Sequence, residues 1–167
     1  HLMDCGAPHG MEFSSTHALT IRRIEGGILG NGTDITPDMT PFEAGLAPFV
    51  NMDKGDFIGR TALLTKERHC CLFGVTCSTK TPAAGALIFD GGREVGRITA
   101  GIPSPTLGLG VGYVHFNTRG DCVGRTLAMR LPDGSLHDAQ IVQPPFFDPD
   151  KKIVRGLDRS IPERPAN

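Results

Sequence analysis

Thr126-Leu127-Ala128-Met129-Arg130-Leu131 and Leu136-His137-Asp138-Ala139-Gln140-Ile141-Val142 flank the tetrapeptide Pro132-Asp133-Gly134-Ser135. Proline, aspartate, glycine and serine are turn formers, so the two runs read as strands of one antiparallel hairpin. Reading back along the chain, more runs of the same kind follow. Leu109-Gly110-Val111-Gly112-Tyr113-Val114-His115-Phe116 is one, and Val95-Gly96-Arg97-Ile98-Thr99-Ala100-Gly101, alternating large and small residues, is another. Ala86-Leu87-Ile88-Phe89 precedes the hairpin turn signal Asp90-Gly91-Gly92, and Cys71-Leu72-Phe73-Gly74-Val75-Thr76-Cys77 opens the series. That makes six short strands in about eighty residues, which argues an antiparallel sandwich or barrel. Gly74, Gly96 and Gly112, inside strands, fit bends at barrel corners.

Upstream of residues 66–71 the pattern changes. Residues 1–13 carry Gly6, Pro8 and Gly10, show no period, and are expected to be loop. Ser14, Ser15 or Thr16 can cap a helix in which Ala18, Ile21 and Ile24 or Glu25 share a face, and Gly26-Gly27 ends it. The stretch from Gly30 to Pro41 is turn-rich, and Pro37 and Pro41 deny it a regular element. Thr40-Pro41-Phe42-Glu43-Ala44 reads as a cap and a helical turn ending at Gly45. Phe49-Val50-Asn51-Met52 is expected as a short strand, and a helix is expected from Thr61 to about His69.

The chain has 167 residues, 39% hydrophobic and 21% charged, with 22 glycines, 13 prolines and no tryptophan. These values fit a packed globular core built from strands and turns. A formal net charge of −1 gives no long-range attraction to nucleic acid or anionic membrane. No signal peptide and no stretch of transmembrane length is evident, and an odd number of cysteines (Cys5, Cys70, Cys71, Cys77, Cys122) reads as reduced thiols in a cytoplasmic protein. His69-Cys70-Cys71 with Cys77 lacks the paired C-x-x-C spacing of a structural zinc site, and adjacent strand residues face opposite ways, so no metal site is expected. The opening His1-Leu2-Met3 is read either as a remnant of cloning or as a cut from something longer.

Familiar catalytic signatures are missing: there is no P-loop, no dinucleotide fingerprint and no G-x-S-x-G elbow. Gly108-Leu109-Gly110-Val111-Gly112 reads as tight strand packing, and Arg119-Gly120-Asp121 as a chance match to an adhesion tripeptide. Asp34 and Asp38 could pair as carboxylates, but their loop favours Asx-turn and capping roles. Lys54 and Asp56 read as a solvated ion pair in a turn.

Order among these segments is more informative than any one of them. Ile21-Arg22-Arg23-Ile24-Glu25-Gly26-Gly27, Gly32-Thr33-Asp34-Ile35, Thr40-Pro41-Phe42-Glu43-Ala44-Gly45-Leu46 and Asp56-Phe57-Ile58-Gly59-Arg60-Thr61-Ala62-Leu63 follow one another. Val95-Gly96-Arg97-Ile98-Thr99-Ala100-Gly101, Ser104-Pro105-Thr106-Leu107-Gly108, Gly112-Tyr113-Val114 and Pro145-Phe146-Phe147-Asp148-Pro149 complete the series. Over about residues 17–157 it resembles the C-terminal portion of the glycine cleavage T-protein (aminomethyltransferase) family. In style it is closest to the folate domains of dimethylglycine and sarcosine dehydrogenases.

The resemblance implies an α+β chain in two parts. Residues 1–68 are a short α/β lead-in from the folate-binding region, and residues 69–167 are a C-terminal six-stranded antiparallel Greek-key β-barrel. It implies tetrahydrofolate as cofactor and transfer of an aminomethyl or methyl group. The family's carboxylate for orienting folate or moving protons lies in an N-terminal region outside this sequence, so no catalytic residue is assigned and activity alone is not expected. Arg23 and Glu25 match the family's helix positions and either line the folate pocket or brace the helix as a structural ion pair. Leu19 stands where the glycine-cleavage branch has an arginine, and leucine offers no charged fork to a carboxylate. The alternative is a non-catalytic barrel module that associates with a partner chain or forms a homodimer.

Overall fold

The computed structural model describes residues 1–117 and 122–160; Arg119-Gly120-Asp121 lies outside them. The expected strands form as β1 (Leu72–Cys77), β2 (Leu87–Asp90), β3 (Arg93–Ser104), β4 (Leu109–Phe116), β5 (Thr126–Arg130) and β6 (Leu136–Val142). They close into an antiparallel barrel in the order β1-β4-β3-β2-β5-β6. Strands β2, β3 and β4 run as a meander. β1 returns beside β4 and β5 beside β2, so two Greek keys share the meander. Closure gives each of these strands a neighbour on both sides.

Alternation along the strands divides the apolar residues into two clusters. Phe73, Val75, Val114, Phe116, Leu127, Met129, Ala139 and Ile141 point into the barrel. Leu72, Val111 and Tyr113, of opposite parity, point out, where Ile24 meets them. Strand β3 breaks the alternation. Ile98 belongs to the interior and Ile102 to the outer cluster, although four residues separate them. The register explains this: Ile98 faces Val114 and Ala100 faces Tyr113, leaving Thr99 as the extra residue of a β-bulge. A bulge exchanges the two faces of a strand beyond it.

The outer cluster is roofed by helix α2 (Thr16–Glu25), which packs on β3 and β4. Ser15 caps it, its hydroxyl accepting from the Ala18 N–H at 3.3 Å, and Gly27 follows in the left-handed conformation with φ 76°. Phe146 and Phe147 donate their backbone N–H groups to the Glu25 carbonyl, so the chain after β6 lies against the helix end.

Other parts of the lead-in depart from expectation. Residues Leu2–Gly6 form a one-turn helix, α1, followed by a 3-10 turn at Ala47–Phe49 much later in the chain, where a strand over 49–52 was expected. Pro48 inside that turn has no N–H for a ladder, which favours the turn. Helix α3 spans only Arg60–Leu64, short of His69. None of its residues is buried, so tertiary packing does not extend it. Among the described residues no helix is long and apolar enough to cross a membrane.

Gly112 pairs with Gly101 just beyond the bulge, and a Cβ there would run into the Ala100 carbonyl oxygen of the neighbouring strand. That oxygen is backbone and cannot swing aside. Gly112→Ala is therefore expected to destabilise the barrel by about 1–3 kcal/mol, read as a lower urea midpoint with an unchanged slope.

Candidate functional site: the junction of helix α2 and the barrel

Helical spacing turns Ile21, Ile24 and Glu25 of α2 toward the barrel. Glu25 is only 1% exposed. A carboxylate in the last turn of a helix opposes the helix dipole and loses its water, so it needs donors. Four arrive: Ser104 Oγ at 2.5 Å and Thr106 N at 3.4 Å reach Oε1, and Thr106 Oγ1 at 3.1 Å and Arg22 Nη1 at 3.4 Å reach Oε2. A carboxylate offers about four acceptor sites, so those of Glu25 are all engaged.

Asp34 is the second buried carboxylate, 2% exposed. Its Oδ2 accepts from Arg23 Nη1 at 2.9 Å and from Gly30 N at 2.7 Å, and its Oδ1 accepts from Thr99 Oγ1 at 2.6 Å. The donor Thr99 is the bulge residue, so the irregularity in β3 supplies this contact. Arg23 also donates to the Ile28 carbonyl at 3.2 Å. Its side chain keeps 26% of its exposure, which makes it the one charged group of this ion pair that meets solvent.

Between the two carboxylates stands Tyr113, whose hydroxyl lies 3.2 Å from each of the carbonyls of Ile24 and Ile28. It thereby adds a donor from β4 to carbonyls that also accept from Gly27 N and Arg23 Nη1. Burial pushes the phenol strongly upward, the Asp34 charge adds to this, and the hydroxyl stays protonated as a donor.

The structure brings Arg23 and Glu25 to one junction but gives them separate partners. Asp34 joins Arg23 rather than Asp38, which is exposed. Leu19 lies on the outer side of α2, 67% exposed. Lys54 places its ammonium 5.2 Å from the centroid of the Phe57 ring. All five cysteines are free, and Cys70 donates to the Leu72 carbonyl at 3.0 Å. Ser104, Thr106 and Thr99 were not singled out from the sequence as partners of buried carboxylates. Ser104-Pro105-Thr106 stands out there only as a motif, with no chemical role attached.

Beyond the junction, Glu43 and Thr40 form a reciprocal cap. Glu43 Oε2 accepts from Thr40 N at 2.8 Å and Thr40 Oγ1 at 2.9 Å, while Thr40 Oγ1 accepts from Glu43 N at 3.2 Å. The Thr40 backbone N–H, followed by its hydroxyl, holds the Glu43 carboxyl below its ordinary value.

A closed Greek-key barrel with a capped helix fastened to its outer wall through buried carboxylates defines a barrel domain with a helical lead-in. Residues 68–148 match the glycine cleavage T-protein C-terminal barrel domain. The chain is 32% identical over 152 residues to an aminomethyltransferase of Saccharopolyspora erythraea, covering 87% of this chain and 41% of that one. It is also 32% identical over 162 residues to a 4-methylaminobutanoate oxidase (formaldehyde-forming) of Paenarthrobacter nicotinovorans, covering 93% of this chain and 19% of the oxidase. The solved glycine cleavage system aminomethyltransferase T of Bartonella henselae superposes with a TM-score of 0.71 at 28% identity, over 82% of this chain and 40% of that structure. The chain belongs to the glycine cleavage T-protein family and carries its C-terminal barrel. It spans about two-fifths of the length of the aminomethyltransferases it matches.

Two outcomes follow from this geometry. Glu25→Ala strips Ser104 and Thr106 of their buried acceptor and is expected to cost about 2–4 kcal/mol, measured by chemical denaturation. For Glu43 the folded-state pKa is depressed, so its contribution is complete above the ordinary value of 4.5 and is lost as pH falls through the lower folded value. Glu43→Gln should therefore flatten the acid side of the stability–pH curve below about pH 5 and leave the neutral side parallel to that of the parent.

Proposed function

We propose that this chain supplies the barrel and lead-in of a tetrahydrofolate-dependent one-carbon transferase, handling an aminomethyl or methyl group, and is not catalytic by itself. Membership of the T-protein family supports the reaction class. The observation that carries the second half is the junction. Its two buried carboxylates are engaged by Ser104, Thr106, Thr99, Arg22 and Arg23. A general acid or base must reach the proton it moves, and a donor-filled, buried carboxylate does not.

On this reading residues 1–68 complete a folate-binding region and residues 69–167 brace it. Arg23, which retains exposure, is the residue of this chain that reaches folate, and Glu25 positions the helix that presents it. The rest of the folate pocket comes from the part of the relatives, about three-fifths of their length, that this chain does not match. Five free thiols support the reading of a reducing, cytoplasmic setting.

A distribution of exposed apolar side chains favours a companion surface. Phe13 is 88% exposed, Phe49 85%, and Ile58 is fully exposed, all in the lead-in. Such residues favour association with a chain bearing the folate region or, in its absence, with a second copy.

Titration calorimetry with tetrahydrofolate tests the proposal. The expected result is no binding to this chain and saturable binding once the chain is extended at its N-terminus to the length of its relatives. Binding to neither would remove the folate reading. Binding to this chain alone at equal strength would contradict the claim that it needs a companion.

A further inference from the structure

Outside the junction, five polar side chains form one continuous hydrogen-bonded series. Cys77 Sγ lies 3.4 Å from Thr79 Oγ1, and Thr79 Oγ1 lies 3.0 Å from His137 Nδ1. His137 Nε2 lies 3.1 Å from Ser135 Oγ, which donates to Asp133 Oδ1 at 2.6 Å. Asp133 also accepts the Ser135 backbone N–H at 2.9 Å.

The direction of every bond in this series follows from Asp133. Hydrogen bonds from the Ser135 hydroxyl, then from its backbone N–H, hold that carboxyl below its ordinary value, so it is an acceptor only. The single hydrogen of the Ser135 hydroxyl is committed to it. Toward His137 the serine oxygen can then only accept, which puts the ring proton of the neutral imidazole on Nε2. Nδ1 is left with its lone pair, and the hydroxyl of Thr79 must donate to it. The oxygen of Thr79 in turn accepts from the Cys77 thiol.

A hydroxyl donating to an imidazole, with the imidazole oriented through its other nitrogen, is the arrangement of an activated nucleophile and its base. Thr79 is exposed, in the segment just after β1. Register sets His137 opposite Met129, on the inward-facing parity of β6, so the pair stands at the mouth of the barrel. Mouths of barrels are common ligand sites. A cleft of about 330 Å³ adjoins the pair, with Ala128 and Leu136 giving it an apolar wall.

We infer that Thr79 is an acyl-accepting nucleophile, with His137 as its general base and Ser135 and Asp133 as positioning residues, for a small activated acyl donor. In the step, Thr79 Oγ forms a bond to the carbonyl carbon while its proton passes to His137 Nδ1. The tetrahedral adduct collapses as the bond to the leaving oxygen breaks, and the leaving group takes the proton back from the imidazolium. The product is an ester on Thr79 and the free alcohol or phenol.

The probe is p-nitrophenyl acetate, applied to the whole chain, with peptide mass spectrometry following acetylation at Thr79 specifically. Acetyl on the Thr79 peptide is expected to accumulate with time, to persist in Thr79→Ser at the same position, and to slow at least about 100-fold in His137→Asn. Ser135→Ala should slow it by a smaller factor while leaving the thermal melt unchanged, which separates positioning from folding. An unmodified Thr79 peptide in the parent chain, or an unchanged rate in His137→Asn, would overturn the assignment. Acetyl found only on thiols, lysines or the N-terminus would do the same.

Discussion

Glu25 and Asp34 leave water where helix α2 lies on the barrel, and the rest of the molecule is arranged around that fact. A carboxylate without partners in such a place costs several kcal/mol, and the helix dipole adds to the cost for Glu25. The donors come from distant parts of the chain: Ser104 and Thr106 from the end of β3 and the turn after it, Thr99 from within β3, and Arg23 from the helix itself. The bonds from Ser104 and Thr106 to Glu25 form only when helix and barrel are folded and in register, and the bond from Thr99 ties the Asp34 loop to the barrel in the same way. The junction therefore couples the two, and Tyr113 strengthens the coupling by binding the Ile24 and Ile28 carbonyls from β4. Phe146, its ring centroid 5.8 Å from that of Tyr113 and tilted by 46°, closes the cluster from the segment after β6.

The bulge in β3 makes this possible. A regular strand would keep Ile98 and Ile102 on one face. Inserting Thr99 lets the first part of β3 fill the barrel and the second part serve the helix. Gly112 and Gly101 pair across the stretch just beyond the bulge; a side chain at Gly112 would meet the Ala100 carbonyl, and one at Gly101 the Pro82 carbonyl. One local irregularity thus links the interior core, the outer core and the partly buried Arg23–Asp34 ion pair.

Much of this was legible in the sequence. The Pro132–Ser135 turn, the Asp90-Gly91-Gly92 turn and the runs between them located all six strands, because turn chemistry and strand length are local properties. Ser15 and Gly26-Gly27 bounded α2 for the same reason. Local signals misled where packing rules. Phe49–Met52 has strand-like residues but pairs with no strand among the described residues, and α3 stops after Leu64, none of its residues being fully buried. The barrel partners of Glu25 and Asp34 were not legible, since separations of 65 to 81 residues join them and a bulge has no firm sequence mark. The Thr79–His137 contact, 58 residues apart, was hidden in the same way.

Native-state hydrogen exchange measures the coupling of helix to barrel most directly. If buried carboxylates fasten them, the amides of Ile24 and Glu25 should exchange with the same free energy and the same denaturant dependence as those of Val111 and Tyr113 in β4. Both sets would then open only in global unfolding. Exchange of the α2 amides at a distinctly lower free energy, with β4 still protected, would show that the helix detaches on its own. That result would contradict the account.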